Sequence, residues 1–354
     1  MNKKNIAVMV FNFFVIITSV SLIVYFCVSK NGLFELLSSD ISLNVIWLLL
    51  AIGCQIGTML IDSFLTFLFI RQHYPQFTLS DGIKSSFIGS FYSAVTPASS
   101  GGQPMQLVFL AKKNVEVGFS TSCMTQKFVI FQLISTMISV VALIIRHEFF
   151  FSTVKIPLLW LCVVVGFTAQ VVVTSGVIVI SFSRKLSDFL IRIFRKLLKK
   201  LSFIKNPEQK IEDLSQQVEM FHNANRSLLK NPRLLGISCV LIFIQILGIF
   251  LVPYCIYRSF SLENTTVVDM ICSQSFVSIA SSMVPLPGAT GASELAFSVF
   301  FELFFGKKFL KSGLLLWRTI TYYGVIILCF PFSLLTSRHK KTNVVSENSP
   351  HRLL

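Results

Sequence analysis

Val284-Pro285-Leu286-Pro287-Gly288-Ala289-Thr290-Gly291 interrupts an apolar segment that runs from Val267 to Phe305. Prolines and glycines at this density end helices, because proline lacks an N–H and glycine frees the backbone. Each flank is then about 10–18 residues, too short for a hydrocarbon core that takes about 20. A second broken segment lies at Ser85–Leu110, which from Phe87 reads FIGSFYSAVTPASSGGQPMQLVFL. In hydrocarbon, broken backbone persists only where protein covers it or a wet cavity receives it. Both segments therefore read as re-entrant helical hairpins with tips near mid-membrane. Two kinked full spans are the alternative.

Around them lie six longer apolar stretches: Ile6–Val28, Val45–Ile70, interrupted by Asp62, Phe119–Ile145, interrupted by Lys127, Pro157–Phe182, Leu234–Tyr257, and Gly313–Thr336, with Arg318 inside it. The chain of 354 residues is 53% hydrophobic and only 13% charged, where a soluble domain carries about 25% charged residues. That excludes a soluble globular protein and a disordered one. Ile6–Val28 is too long for a secretory core and lacks a small-residue cleavage site, so it reads as an uncleaved first span. The expected fold is all-α and polytopic, with about six full spans plus two re-entrant hairpins. Span two, the first hairpin and span three form one unit; span five, the second hairpin and span six form another, in the opposite orientation. Inverted repeats with discontinuous helices are a transporter architecture. One membrane domain over 1–336 and a tail over 337–354 follow.

The formal charge is +15, from 31 basic and 16 acidic residues. With both termini cytoplasmic, the inner segments carry a summed +14 and the outer loops near 30–40, 146–155 and 258–269 about −1, as the positive-inside rule asks. Only Lys307, Lys308 and Lys311 fall on the wrong side. This places a multi-pass protein in the plasma membrane. Residues 184–233 form the longest polar stretch. Within it, Arg184–Lys205 has apolar and basic faces at helical spacing, suited to an anionic leaflet. Anionic phospholipids are the expected partners. Nucleic acid is not, for want of aromatic residues on a folded platform. The eight cysteines are scattered singly and the five histidines lack metal-ligand spacing. No phosphate-binding or nucleotide-binding loop motif is found, so neither metal nor cofactor is expected.

Four ionisable side chains fall inside the expected membrane: Asp62, Lys127, Glu294 and Arg318. Each is costly there and needs a partner or a wet cavity. Asp62 and Lys127 both lie eight residues from a cytoplasmic helix end, about 12 Å deep. They read as an intramembrane ion pair. Arg318 and Glu294 can meet beside the second hairpin tip, where they read as part of a cavity. The tips offer Thr96, Pro97, Ser99, Ser100, Gly101, Gly102 and Gln103, and Pro285, Pro287, Gly288, Thr290, Gly291 and Ser293. Glycines let a ligand approach the backbone, and the free N–H groups of the helices that follow favour anions.

Thr96-Pro97 with Gly101-Gly102, and Pro285-x-Pro287-Gly288-x-x-Gly291-x-x-Glu294, resemble the paired signatures of the lysylphosphatidylglycerol synthase transmembrane region, also called the flippase-like family. Trp317-Arg318 and Tyr322-Tyr323 resemble its last span. The resemblance covers roughly residues 5–335 and implies movement of lipids between leaflets. Gln103 departs from it, since the family often has Glu after the first Gly-Gly. In bifunctional members such a region precedes an aminoacyltransferase; a soluble segment of about 50 residues is too small for that fold. The expectation is translocation of a phospholipid, lysyl-phosphatidylglycerol-like or otherwise, or of a lipid-linked substrate. The alternative is a phosphatidylglycerol lysyltransferase or its membrane subunit, contributing to resistance against cationic peptides. A non-transporting membrane partner is a third class. A separate aminoacyltransferase or glycosyltransferase, and a second copy of the chain, stay open as protein partners.

Overall fold

The computed structural model describes residues 43–147, 157–186, 189, 192, 207–282 and 286–336. The expected first span, most of the basic helix at Arg184–Lys205, Pro285 and the tail after 336 lie outside the described residues.

All regular structure among the described residues is helical. In chain order the α-helices are α1 (Val45–Arg71), α2 (Leu79–Val95), α3 (Gly102–Lys112), α4 (Val117–Ile145), α5 (Pro157–Phe182), α6 (Pro207–Leu229), α7 (Pro232–Ser259), α8 (Val267–Ser282), α9 (Ala292–Arg318) and α10 (Gly324–Ser333). Five helical stretches are long and apolar enough to cross a membrane: Val45–Arg71, Val117–Ile145, Val163–Phe182, Pro232–Ser259 and Pro287–Ser333; α8 is a shorter apolar helix. Their outer faces are apolar too. Ile46 and Leu49 on α1, Met137 and Ile144 on α4, and Val164 and Val172 on α5 are all exposed. Water does not tolerate such continuous apolar surface; lipid does.

The stretch Pro287–Ser333 is not one straight rod. Gly306 stands at φ 59°, ψ 171°, a backbone geometry that residues with a side chain avoid. The chain folds back there. Phe305 lies against Gly313, where a Cβ would come within 2.6 Å of its ring. Further along, Phe297 stacks on Trp317 at 4.9 Å, and Glu294 meets Arg318. The last membrane helix thus starts directly after Gly306, several residues before the expected Gly313. Lys307, Lys308 and Lys311 ride on its first turns rather than in a loop. A π turn over Thr319–Tyr323 follows Arg318 and leads into α10, an irregularity common at functional sites.

Two antiparallel helical hairpins result. In the first, Gly89 packs on Gln106 and Gly102 on Ser93; in the second, Phe276 faces Phe300 at 5.8 Å. The first starts earlier than expected, because Thr78 and Asp81 cap α2 reciprocally. Thr266 and Asp269 make the same exchange at the start of α8. The two tips repeat one conformation. Thr96 (φ −107°, ψ 148°) and Leu286 (φ −104°, ψ 153°) are extended, and each leads into a short 3-10 turn beginning with proline. The next two residues have positive φ in both: Ala98 and Ser99, Gly288 and Ala289.

The tips touch each other, and each hairpin also leans on the helix that follows the other hairpin. α2 packs on α10, and α8 on α4. Behind them α1 and α7 run antiparallel along their whole length. Asn44 N–H donates to the Ser259 carbonyl at one end (2.7 Å), and Asn231 Nδ2 to Gln72 Oε1 at the other (3.2 Å). Helix α6 docks on α4: Gln217 Oε1 accepts from Gly118 N–H at 2.7 Å, and Gln126 Nε2 donates to Asn225 Oδ1 at 2.9 Å.

Candidate functional site

The second tip is held by a charged cluster. Glu294 stands in the first turn of α9, and its Oε2 accepts the Gly291 N–H. Glycine has no side chain to reciprocate, so only half a capping box is made here. Glu294 Oε1 accepts from Arg318 Nε at 2.7 Å and lies 2.6 Å from Arg318 Nη2. Nη2 also donates to the Gly288 carbonyl at 3.0 Å and to Ser293 Oγ. The Arg318 side chain is 7% exposed, that of Glu294 28%. The guanidinium carbon lies over the rings of Trp317 and Tyr322, at 5.3 and 5.2 Å from their centroids. Such contacts favour a cation shielded from water. One face of the guanidinium is therefore committed to the tip. Nη1 makes no hydrogen bond with any described residue, and Arg318 borders a cavity.

That cavity, of about 740 Å³, lies where the tips meet. Ala98 and Ser99 of the first tip and Gly288 and Ala289 of the second line it, with residues of α4, α5 and α8. A second cavity of about 590 Å³ shares Ser99, Phe128, Phe131 and Gln132 with the first and extends to Gly102, Gln103, Lys127 and Asp62. A third, of about 310 Å³, shares Asp62, Ser90, Gln245 and Ile249 with the second. Together they form a string past the first tip.

Asp62 and Lys127 face each other in the second cavity. Lys127 Nζ lies 2.8 Å from Asp62 Oδ1, and donates to Thr66 Oγ1 (2.7 Å) and the Asp62 carbonyl (3.2 Å). All three ammonium protons are thus used. Thr96 is buried and inward: its hydroxyl donates to the Tyr92 carbonyl at 2.6 Å and accepts the Gly101 N–H at 2.9 Å. Pro97 is exposed, and so is Gln103 at the cavity wall. Gly288 has φ 61°, and a side chain there would collide with the Tyr322 ring. Gly291 has φ 90° and open space around it. Glu294 and Gly101 line none of the three cavities. Glu294 holds Arg318 from behind, and Gly101 closes the tip.

Two residues of the first cavity stand outside the expected site. Gln274 is 4% exposed and its amide oxygen has no partner; Trp317 is 6% exposed and its indole N–H has none. A polar residue amid an apolar helix hints at Gln274, but only the closure of three helices around it makes it part of a site. Among the described residues no group of His, Cys, Asp or Glu is arranged to hold a metal ion.

A family model described as the lysylphosphatidylglycerol synthase TM region matches residues 9–329. The chain is 23% identical over 336 residues to an Archaeoglobus fulgidus protein named "UPF0104 membrane protein", spanning 88% of this chain and 96% of that one. It is 23% identical over 364 residues to a Mycoplasma pneumoniae protein named "Uncharacterized protein MG306 homolog", spanning 93% and 88%. No solved structure matches it.

Proposed function

The chain belongs to the lysylphosphatidylglycerol synthase TM region family, and from that premise we propose that it moves the polar head of a phospholipid, or of a lipid-linked substrate, between membrane leaflets. The head travels along the string of cavities at the tips while the acyl chains stay in the bilayer. The observation that carries this reading is Arg318. It is a buried cation with one face held by Glu294, Gly288 and Ser293, and with Nη1 left over beside a cavity that both tips share. A guanidinium nitrogen left over in this way can donate a charge-assisted hydrogen bond to a phosphate oxygen.

The same reading makes the hairpins re-entrant and the two units an inverted repeat. The limbs α2, α3 and α8 have 17, 11 and 16 residues. At about 1.5 Å per residue they are shorter than a hydrocarbon core of about 30 Å. Further support comes from the matching tip backbones, the matching caps at Thr78 and Thr266, and the antiparallel pairing of α1 with α7. In hydrocarbon the tips' broken backbone is tolerable because it meets protein and polar cavities.

The test is reconstitution of the full chain into vesicles, following the exposure of a headgroup to an impermeant reagent. Arg318→Gln alone leaves Glu294 without its partner, so the decisive variant is Arg318→Gln with Glu294→Gln. We expect the double variant to fold, with melting within a few degrees of wild type, and to move lipid at least about tenfold more slowly. A folded double variant working at the wild-type rate would refute the reading.

A further inference from the structure

Asp62 stands where two of the cavities meet, lining both the second and the third. The third runs along α1 toward its Asn44 end, past Thr58 to Gln55, roughly 10 Å from Asp62 at the helical rise. The second opens the other way, to Leu65 on α1 and Met124 on α4. The carboxylate is only half engaged. Oδ1 meets Lys127 Nζ at 2.8 Å, while Oδ2 accepts no hydrogen bond from any described residue and stays open to water. The Asp62 side chain is 28% exposed. Among the described residues lining these two cavities, Lys127 is the only other charged group. α2, α3, α7 and the π turn offer it amides and hydroxyls: Ser90, Gln103, Gln106, Gln245 and Thr321. On α4 the one further titratable group near Lys127 is Cys123, which is buried.

With Asp62 ionised, the pair is neutral as a whole. A proton taken by Oδ2 from cavity water makes Asp62 a carboxylic acid, and the pair becomes a net cation centred on Lys127. A phosphate in the second cavity is repelled by the carboxylate and attracted by the ammonium. Protonation removes the repulsion and leaves the attraction. Proton and phosphate then favour each other's binding by the same factor. The pair also reaches the first hairpin. Lys127 donates to Thr66 Oγ1 at 2.7 Å, and Thr66 shares a hydrogen bond with Ser86 of α2 at 3.1 Å. Turning Nζ toward a phosphate gives up its bond to Thr66 and loosens that link.

We infer that Asp62 is a proton site, and that an anionic head passes the second cavity together with one proton, the proton on Asp62 Oδ2 and a phosphate oxygen on Lys127 Nζ. This deepens the translocation reading and rests on it. The proton returns to cavity water when the head leaves Lys127. A head driven by a proton gradient therefore moves from the acidic side to the alkaline side.

The experiment places the full chain in vesicles under an imposed pH gradient and follows phosphatidylglycerol, a diester whose charge does not titrate near neutral pH. Wild type should enrich the lipid in the leaflet facing the alkaline compartment, by up to about tenfold per pH unit, the limit for one proton per lipid. Protein-free vesicles and vesicles with the gradient collapsed set the baseline. Asp62→Asn with Lys127→Met, shown to be folded by its melting, should give no enrichment. A second arm needs no transport. In weak buffer, binding of short-chain phosphatidylglycerol to wild type should draw protons from solution, approaching one for each lipid held at Lys127, and Asp62→Asn should draw none. Lipid movement that ignores the gradient, enrichment kept by the double variant, or proton uptake by Asp62→Asn equal to that of wild type overturns this inference and leaves translocation standing. Glycerophosphoglycerol, the same diester without acyl chains, binding as tightly as the lipid points to a soluble phosphate. That outcome sinks the translocation reading and this inference together, as does lipid that stays in its leaflet with and without the gradient.

Discussion

The phenol of Tyr322 donates a hydrogen bond to the Ala94 carbonyl at 3.0 Å, tying the π turn of the last membrane helix to the end of the first hairpin's leading limb. The same ring fills the space beside Gly288 at the second tip. One side chain therefore touches both tips. Tyr322→Phe keeps the ring and loses the bond, leaving a carbonyl without that donor. It should cost about 0.5–1.5 kcal/mol, read as a lower melting temperature in detergent. An unchanged melting point would mean that the tips are held by packing alone.

Gly288→Ala should be worse. It meets a positive φ, which costs a side chain about 1–2 kcal/mol, and it drives a methyl into the Tyr322 ring. Combining it with Tyr322→Leu removes the collision and should recover part of the loss, leaving the backbone term. Gly53 is the control: it lies inside α1 with nothing within 4 Å of its Cβ position. Gly53→Ala should be neutral or stabilising by up to about 1 kcal/mol.

Lys127→Met strands the Asp62 carboxylate in a partly buried site. Removing one partner of such a pair costs about 3–5 kcal/mol, and removing both costs far less. The prediction is a strongly destabilised Lys127→Met variant, with melting restored toward wild type when Asp62→Asn is added. If the double variant is as unstable as the single, Lys127 holds the fold through Thr66 rather than through Asp62.

Asp81 gives a pH signature at the mouth of the first hairpin. Burial pushes its carboxyl up, but the Lys113 ammonium at 2.7 Å and the Thr78 hydroxyl and N–H outweigh this, so its pKa is lowered. Its folded value thus lies below its unfolded one, near 3.9. The stabilisation it adds is complete above the unfolded value and is lost as the pH falls through the folded one. The melting temperature of wild type should therefore fall across that window relative to its value at neutral pH. Asp81→Asn should flatten that part of the profile; an unaltered profile would exclude Asp81 as a contributor.

On the proposed topology, a cysteine at position 210 on a cysteine-free background should react with an impermeant reagent only from the cytoplasmic side, and Glu263→Cys only from outside. Outside labelling at 210 would break the inverted arrangement of the two units.

Length and polarity made most of the scaffold legible. The expected limits of α1, α4, α5 and α7 differ from the observed ones by at most two residues, because a run of apolar residues between charges defines a membrane helix with little help from context. Prolines and glycines likewise marked both tips. Two things were hidden. The fold-back at Gly306 hangs on one φ angle inside a helical pattern, and the lysines after it looked like a loop. The docking of α6 on α4 runs through Gln217 and Asn225, residues that look like ordinary surface polarity until a helix covers them. At the site, Arg318 and Glu294 stood out as charges in an apolar setting. Gln274 did not, and Trp317 was marked only through the family resemblance, because an unpaired amide or indole becomes visible only when its neighbours are known.

The antiparallel pair α1 and α7 is pinned at both ends, by Asn44 with Ser259 and by Gln72 with Asn231. Midway, Gly248 lets Thr58 come close enough that an added Cβ would lie 2.8 Å from its methyl group. Two rods fastened so can neither slide along each other without breaking both end bonds nor roll without pushing that methyl into a backbone. They act as a fixed post. On the proposed translocation, whatever swings has to be the hairpins and the helices they lean on, pivoting about a pair that stays still.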